Sequence, residues 1–329
     1  MPPASRITSI LAEQATELSR LQDAEARALL RFVGDARREL RERLSETVRV
    51  GRGGTFTAQH LRVALAQTEA AITTLTARMT GELTTAGTTA QRASLRDLLQ
   101  TIRAHEGELV EAGARIEWGV AARMAQQGGL LLDTHSIARY GADVVTRARQ
   151  ALVIGMQTNA SMSAMIDRVT SSSGVIASFG GRGELIARME MSAAYNTSHH
   201  EALVEAAAVL DDEGTPDPLL RQADEYADAR NHPVSRVIHG AVTAIDNPWL
   251  VSVAEVDRMA DRLKKPATGI LWPQSGAYYV VGRYPVHFNE RGREIPYRSS
   301  WDGGAGLGWA RMTADQRSQL PSALRRSLR

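Results

Sequence analysis

The stretch Asp211-Asp212-Glu213-Gly214-Thr215-Pro216-Asp217-Pro218 divides the chain into two textures. Upstream of it, no proline follows Pro2 and Pro3; the other nine of the 11 prolines fall between Pro216 and Pro321. Proline lacks a backbone donor and clashes with the preceding helical turn, so the proline-free stretch permits long helices. Downstream, 10 of the 16 aromatic residues lie after residue 225, among them Trp249, Trp272, Trp301 and Trp309. The break therefore predicts a mainly α chain with a C-terminal α+β module and an elongated helical N-terminal region.

Working back from the break, a helix is expected from Glu184 to Leu210, with Leu185, Ile186, Met189, Leu203, Val204 and Leu210 buried. Ser171–Gly174 and Gly180-Gly181-Arg182-Gly183 read as loop before it. That glycine run lacks a preceding strand and the spacing of a phosphate-binding loop, so it reads as a plain connection. Residues 135–155 and 108–127 read as helices broken near Gly128 and Gly129. Further back, Leu61, Leu65, Ile72, Leu75, Met79 and Leu83 form an amphipathic stripe with Thr57 as N-cap. Thr-rich sequence around Gly87 separates that stripe from a helix through Leu95, Leu98 and Ile102. Residues 5–50 carry a further stripe through Leu11, Leu18, Leu21, Ala28, Phe32, Val33, Leu40 and Leu44, ended by Gly51, Gly53 and Gly54.

Forward of the break, helices are expected at 219–229 and 252–264, and short strands around Val280-Val281 and Val286-His287-Phe288. Asn289–Gly292 reads as a turn between strands. The Trp residues read as core and interface anchors.

Composition narrows the function classes. The 329 residues have 43% hydrophobic and 23% charged content, which suits a globular chain of about two domains. No apolar run reaches the roughly 18–20 residues of a membrane helix, and the first 14 residues have no continuous apolar stretch of signal-peptide type. With no cysteine, disulfides, thiolate metal sites and a Cys nucleophile are excluded. Net charge is only +2, so any nucleic-acid contact must come from local patches. One such patch is the run containing Arg37, Arg38 and Arg41, in a stretch with nine Arg and six acids over residues 20–52. It reads as a solvated helix face with i,i+4 pairs, or as a phosphate-contacting helix. A second is the tail from 303, where Arg311, Arg317, Arg325, Arg326 and Arg329 face Asp315 alone; it reads as mobile, and as a solubilising tail or an arm touching DNA or an acidic protein surface.

The densest polar segment runs Asp228-Ala-Arg230-Asn-His232-Pro-Val-Ser235-Arg236-Val-Ile-His239-Gly240. A divalent metal site and a Ser/His/Asp nucleophilic set are both formally available there. His232 is biased to extended backbone by Pro233, and no HExxH or nucleophile-elbow spacing is present. The segment reads best as a hydrogen-bonded structural turn, with neither metal nor cofactor expected. His199 and His200, about 100° apart on a helix, read as surface residues.

Three stretches resemble a known family. They are Arg147–Ile166, with its helix, Gly155, small polar loop and second helix; Glu184-Leu-Ile-Ala-Arg188-Met-Glu190-Met-Ser-Ala-Ala-Tyr195-Asn196; and Asp228-x-Arg230-x-x-Pro233-x-Ser235-x-x-x-His239-Gly240. Together they are similar to the phage head morphogenesis, or minor head, proteins typified by that of phage Mu. Ser235 stands where many relatives carry His or Cys. The resemblance implies a virion structural protein that acts inside the head near the portal, after assembly in the host cytoplasm. Its implied partners are the phage portal protein and major capsid or scaffold proteins, with packaged double-stranded DNA as a further contact and no membrane. The chain is accordingly divided into a helical N-terminal region over 1–140, read as partner- or portal-binding helices, the minor-head-like module over 141–302, and the basic tail over 303–329. Two other readings are weighed beside it. One is a DNA-binding packaging accessory, resting on the Arg-rich helix and tail. The other is an ADP-ribosyltransferase-like or other toxin enzyme, for which Glu290-x-x-x-Glu294 is not the usual Glu-x-Glu spacing.

Overall fold

The computed structural model describes residues 3–50, 58–106, 110–126, 135–158, 160–211, 216–224, 232–268, 270, 273–282, 292–298 and 300. The described chain is mainly α with a C-terminal α+β module. Six helices come first: α1 Pro3–Val50, α2 Ala58–Glu106, α3 Val110–Gln126, α4 His135–Gln157, α5 Met162–Thr170 and α6 Ala177–Leu210. The module follows as β1 Leu220–Asp224, α7 Pro233–Ile238, β2 Val242–Thr243, β3 Trp249–Ser252, α8 Val253–Leu263, β4 Gln274–Ser275, β5 Tyr278–Val281 and β6 Arg293–Tyr297. No helix among the described residues is long and apolar enough to cross a membrane. The chain divides into two compact units. One comprises Gln22–Ala86 and Leu132–Glu190; the other comprises Met1–Leu21, Gly87–Leu131 and Met191–Arg329.

The first of these units is all helical. Its core joins Leu29, Val33, Leu40 and Leu44 of α1 to Ile72, Leu75, Met79 and Leu83 of α2, with Val144, Leu152, Met165 and Phe179 from α4 to α6. The i, i+4, i+7 spacing of these residues puts one apolar stripe on each helix, and packing those stripes stabilises helices that propensity alone would leave marginal. Small residues let the helices approach. A Cβ on Gly141 would lie 2.5 Å from Thr76 Oγ1, so α4 meets α2 where only glycine fits without adjustment. Ser161 caps α5 by accepting a hydrogen bond from Ala164 N–H at 3.2 Å.

Three expectations fail here. Gly180–Gly183 are the opening of α6, which starts at Ala177. A Cβ on Gly183 would come within 2.7 Å of the Met79 Cε, so the glycine serves close packing. Gly87 does not interrupt α2. The neighbouring Thr84 and Thr85 hydroxyls donate back to the carbonyls of Thr80 and Gly81, so the Thr-rich run is satisfied within the helix. Finally, of the six apolar residues expected to be buried on α6, only Leu203 is; Leu185, Ile186, Met189, Val204 and Leu210 are half-buried.

The second unit contains the sheets. Sheet order β2-β1-β6 is antiparallel throughout, with Gln222 opposite Val242 and Ile295. The other sheet, β3-β5-β4, pairs Leu250 with Val280 and Tyr279 with Gln274. Residues 220–224 were expected to be helical; they form the central strand because both edges find ladder partners. The helix expected at 252–264 is α8, capped by Ser252 and ended by Lys264 in a left-handed conformation. Trp249 is fully buried among Val234, Ile238, Val251, Val256 and Val281. Burying a ring of that size contributes about 4–6 kcal/mol of transfer free energy. A second cluster joins Leu98, Leu99 and Ile102 of α2 to Ile116 and Val120 of α3 and Ala202, Leu203 and Ala206 of α6. Val286–Phe288, the Asn289–Arg291 turn, Thr57, Trp272, Trp301, Trp309 and the tail lie outside the described residues.

Candidate functional site

The densest polar constellation lies in the second unit, on the face of α6 that meets β6 and on strand β1. Helical spacing places Ser192, Tyr195, Asn196 and His199 together, and all four are buried. Asn196 Nδ2 donates to the Ser192 carbonyl at 2.9 Å and the Gly292 carbonyl at 3.2 Å, while its Oδ1 accepts from Glu294 N–H at 3.3 Å. The side-chain amide thus takes the place of a peptide group along the edge of β6 that β1 does not use. It satisfies an edge that would otherwise offer unpaired groups.

Arg293 and Glu294 point to opposite faces of β6 and build two networks. On one side, Arg293 Nε donates to Asp224 Oδ2 at 3.1 Å and Nη1 donates to Gln14 Oε1 at 3.2 Å. Gln14 Nε2 in turn donates to the Asp97 carbonyl at 2.9 Å. Tyr195 donates its hydroxyl to Asp97 Oδ2 at 2.8 Å, and its ring stacks on His199 at 5.8 Å. On the other side, Arg221 Nη1 donates to Glu294 Oε1 at 3.0 Å and to the Gly282 carbonyl at 2.6 Å. The guanidinium lies 4.0 Å over the Trp249 ring. His200 Nδ1 is 3.1 Å from Glu294 Oε2. Both members of the Arg221–Glu294 pair are essentially inaccessible, at 1% and 0% side-chain exposure.

Burial sets the protonation states. It pushes the Tyr195 phenol well above its usual value, so Tyr195 stays a neutral donor. It pushes His199 down to about 3, helped by the positive charge of Arg293, so His199 is a neutral imidazole whose Nδ1 donates to the Ser94 carbonyl at 3.3 Å. The expectation that His199 and His200 are surface residues is therefore corrected: His199 is 2% exposed and His200 is partly covered by Glu294. Both lie on the side of α6 that packs inward, which the pair's 100° separation alone could not reveal.

The other sequence-derived candidates fall in several places. Arg188 pairs with Glu184 at 3.0 Å and with Asp23 at 2.6 Å, both in the helical unit. Glu190 is half-buried on α6. Asp228 and Arg230 lie outside the described residues. His232 is extended and caps α7, accepting from Val234 N–H at Nδ1 and donating from Nε2 to the Thr268 carbonyl at 2.9 Å. Ser235 is buried, His239 is an exposed C-cap, and Gly240 has φ +77°, where a side chain would be strained. Gly240 N–H donates to the Ala223 carbonyl at 2.8 Å, tying this segment to β1. Arg37 donates to the Thr170 carbonyl, Arg38 pairs with Asp35, and Arg41 pairs with Asp167 at 2.7 Å. Arg317, Arg325, Arg326 and Arg329 lie outside the described residues. Among the described residues, no group of three His, Asp or Glu is placed to hold a metal ion.

Sequence reasoning missed Gln14, Asp97, Arg221 and Arg293, and weighed Glu294 only as part of the Glu290-x-x-x-Glu294 spacing. The available signal was modest: charged residues sitting inside β-prone segments, and Tyr195 and His199 four apart on one helix face. No family model, curated protein or solved structure matches the chain.

Proposed function

We propose that this chain is a structural minor head protein of a tailed phage or prophage, acting at the portal during head assembly. The observation that carries the reading is the use made of the Tyr195-Asn196 motif. Tyr195 holds α2 and Asn196 holds β6, so residues that carry the family resemblance serve as internal braces. Motif residues that brace a fold suit a scaffold whose work is done by surfaces. The transferase alternative gains nothing from Glu294, whose two oxygens face Arg221 and His200 in the interior.

The test is co-expression with a phage portal protein encoded in the same genome, followed by purification through a tag on the portal. The chain should co-purify at a fixed ratio to the portal ring. Recovery of the intact chain in the unbound fraction alone contradicts the reading.

A further inference from the structure

We propose that Tyr140, Arg147 and Arg182 form a cradle for the phosphodiester backbone of duplex DNA. The three residues lie in the helical unit, on α4 and the start of α6. They line an open cavity of about 560 Å³ together with Asp143, Thr146 and Gln150. Tyr140 is fixed in place: its hydroxyl donates to the Ser178 carbonyl at 2.9 Å, and its ring packs against Phe179 at 5.1 Å. Two guanidinium groups from different helices then gather on that one ring, Arg147 at 5.4 Å and Arg182 at 5.9 Å. Arg147 also donates to the Tyr140 hydroxyl at 3.1 Å.

This arrangement differs from that of the other arginines considered. Arg37, Arg38 and Arg41, which the sequence offered as phosphate contacts, are held by Thr170, Asp35 and Asp167. Neither Arg147 nor Arg182 has a carboxylate within ion-pair distance among the described residues. Two like charges brought to one rigid ring repel each other, and an anion seated between them relieves that repulsion. Guanidinium donors match phosphate oxygens, with Gln150 as a further donor in the lining. The cavity is open, so it suits one phosphate of a passing polymer better than an enclosed small ion. The choice of duplex DNA as that polymer rests on the head-protein reading; the cradle geometry does not.

The experiment measures binding of the full chain to a fluorescent 20-base-pair duplex by anisotropy between 50 and 300 mM salt. It compares wild type with Arg147→Gln/Arg182→Gln, Arg147→Lys/Arg182→Lys and Arg38→Gln. Each neutralised phosphate adds about 0.9 to the slope of log affinity against log salt, so the double Gln variant should lose about 2 in slope and at least tenfold in affinity at low salt. The Lys variant should keep most of the slope, and Arg38→Gln should match wild type, with all melting temperatures unchanged. Equal slopes for wild type and the double Gln variant overturn the proposal. So does an absence of duplex binding by wild type, or inorganic phosphate or polyglutamate competing as well as unlabelled duplex. Portal co-purification is independent of this assay, so failure of the cradle and failure of the head role are distinguishable.

Discussion

Asn196 shows how one side chain can hold a sheet to a helix. Replacing it with Ala removes the buried hydrogen bonds to the Gly292 carbonyl and from the Glu294 N–H. An unsatisfied buried group costs about 1–3 kcal/mol, so the denaturation midpoint in urea should fall accordingly. Glu294→Ala should cost more, about 3–5 kcal/mol, because it removes a fully buried carboxylate that pairs with the buried Arg221 guanidinium. A loss below that for Asn196→Ala would mean that the ion pair is not the stronger brace. Two buried titratable groups act in opposite directions with pH. Glu25 is raised from 4.5 to about 7, chiefly by burial and then by Glu82. Between those values the folded state holds a proton that the unfolded state has lost, so stability falls as pH rises. His199 is lowered to about 3, so between that value and 6.5 the unfolded state binds the extra proton and stability rises with pH. Each contributes a slope of up to about 1.4 kcal/mol per pH unit, and they oppose each other from roughly pH 4.5 to 6.5. Relative to wild type, Glu25→Gln should make stability climb with pH in that window, and His199→Gln should make it decline. Parallel profiles for wild type and both variants, by urea midpoints at half-unit steps, would count against these assignments.

Among the elements, α1 and the first half of α2 were legible because their apolar stripes survive intact in the sequence, and Leu40, Leu44, Ile72 and Met79 are buried as the period requires. The opening of α6 was not legible. Three glycines read locally as loop, while the packing that makes them helical involves Met79, about a hundred residues away. Strand β1 was obscured for a similar reason, since Leu220–Asp224 has no clean alternation and owes its state to partners on both edges. The buried network was the least legible part, because Gln14, Asp97, Arg221 and Arg293 come together only through tertiary contacts. Helix packing gives two sharp tests. Gly141→Ala gains up to about 1 kcal/mol of helix propensity but forces a Cβ onto Thr76. It should be destabilising alone, by about 1–2 kcal/mol, and stabilising in a Thr76→Ala background. The same sign in both backgrounds would show that Thr76 is not the obstacle. Arg188→Ala should lower the melting temperature more than Arg43→Ala, since Arg188 is 16% exposed and joins α6 to Asp23 on α1, whereas Arg43 is 52% exposed and pairs with Glu39 on its own helix. Equal melting temperatures for the two variants would contradict this.

At the scale of the whole molecule, the described residues give two hydrophobic cores to the sheet-containing unit and one to the helical unit, with the motif residues acting as braces in both. Trp118 stands 78% exposed on α3, as a surface anchor would. The head role proposed above rests on this bracing together with the resemblance of the Arg147–Ile166, Glu184–Asn196 and Asp228–Gly240 segments. The most direct measurement is quantitative mass spectrometry of heads assembled by co-expressing the chain with portal and capsid proteins encoded in the same genome and purified on a density gradient. The account predicts the chain in the purified heads at a low, fixed copy number relative to the portal ring. Heads of normal yield and composition from which the chain is absent, with all of it left in the soluble fraction, would contradict it.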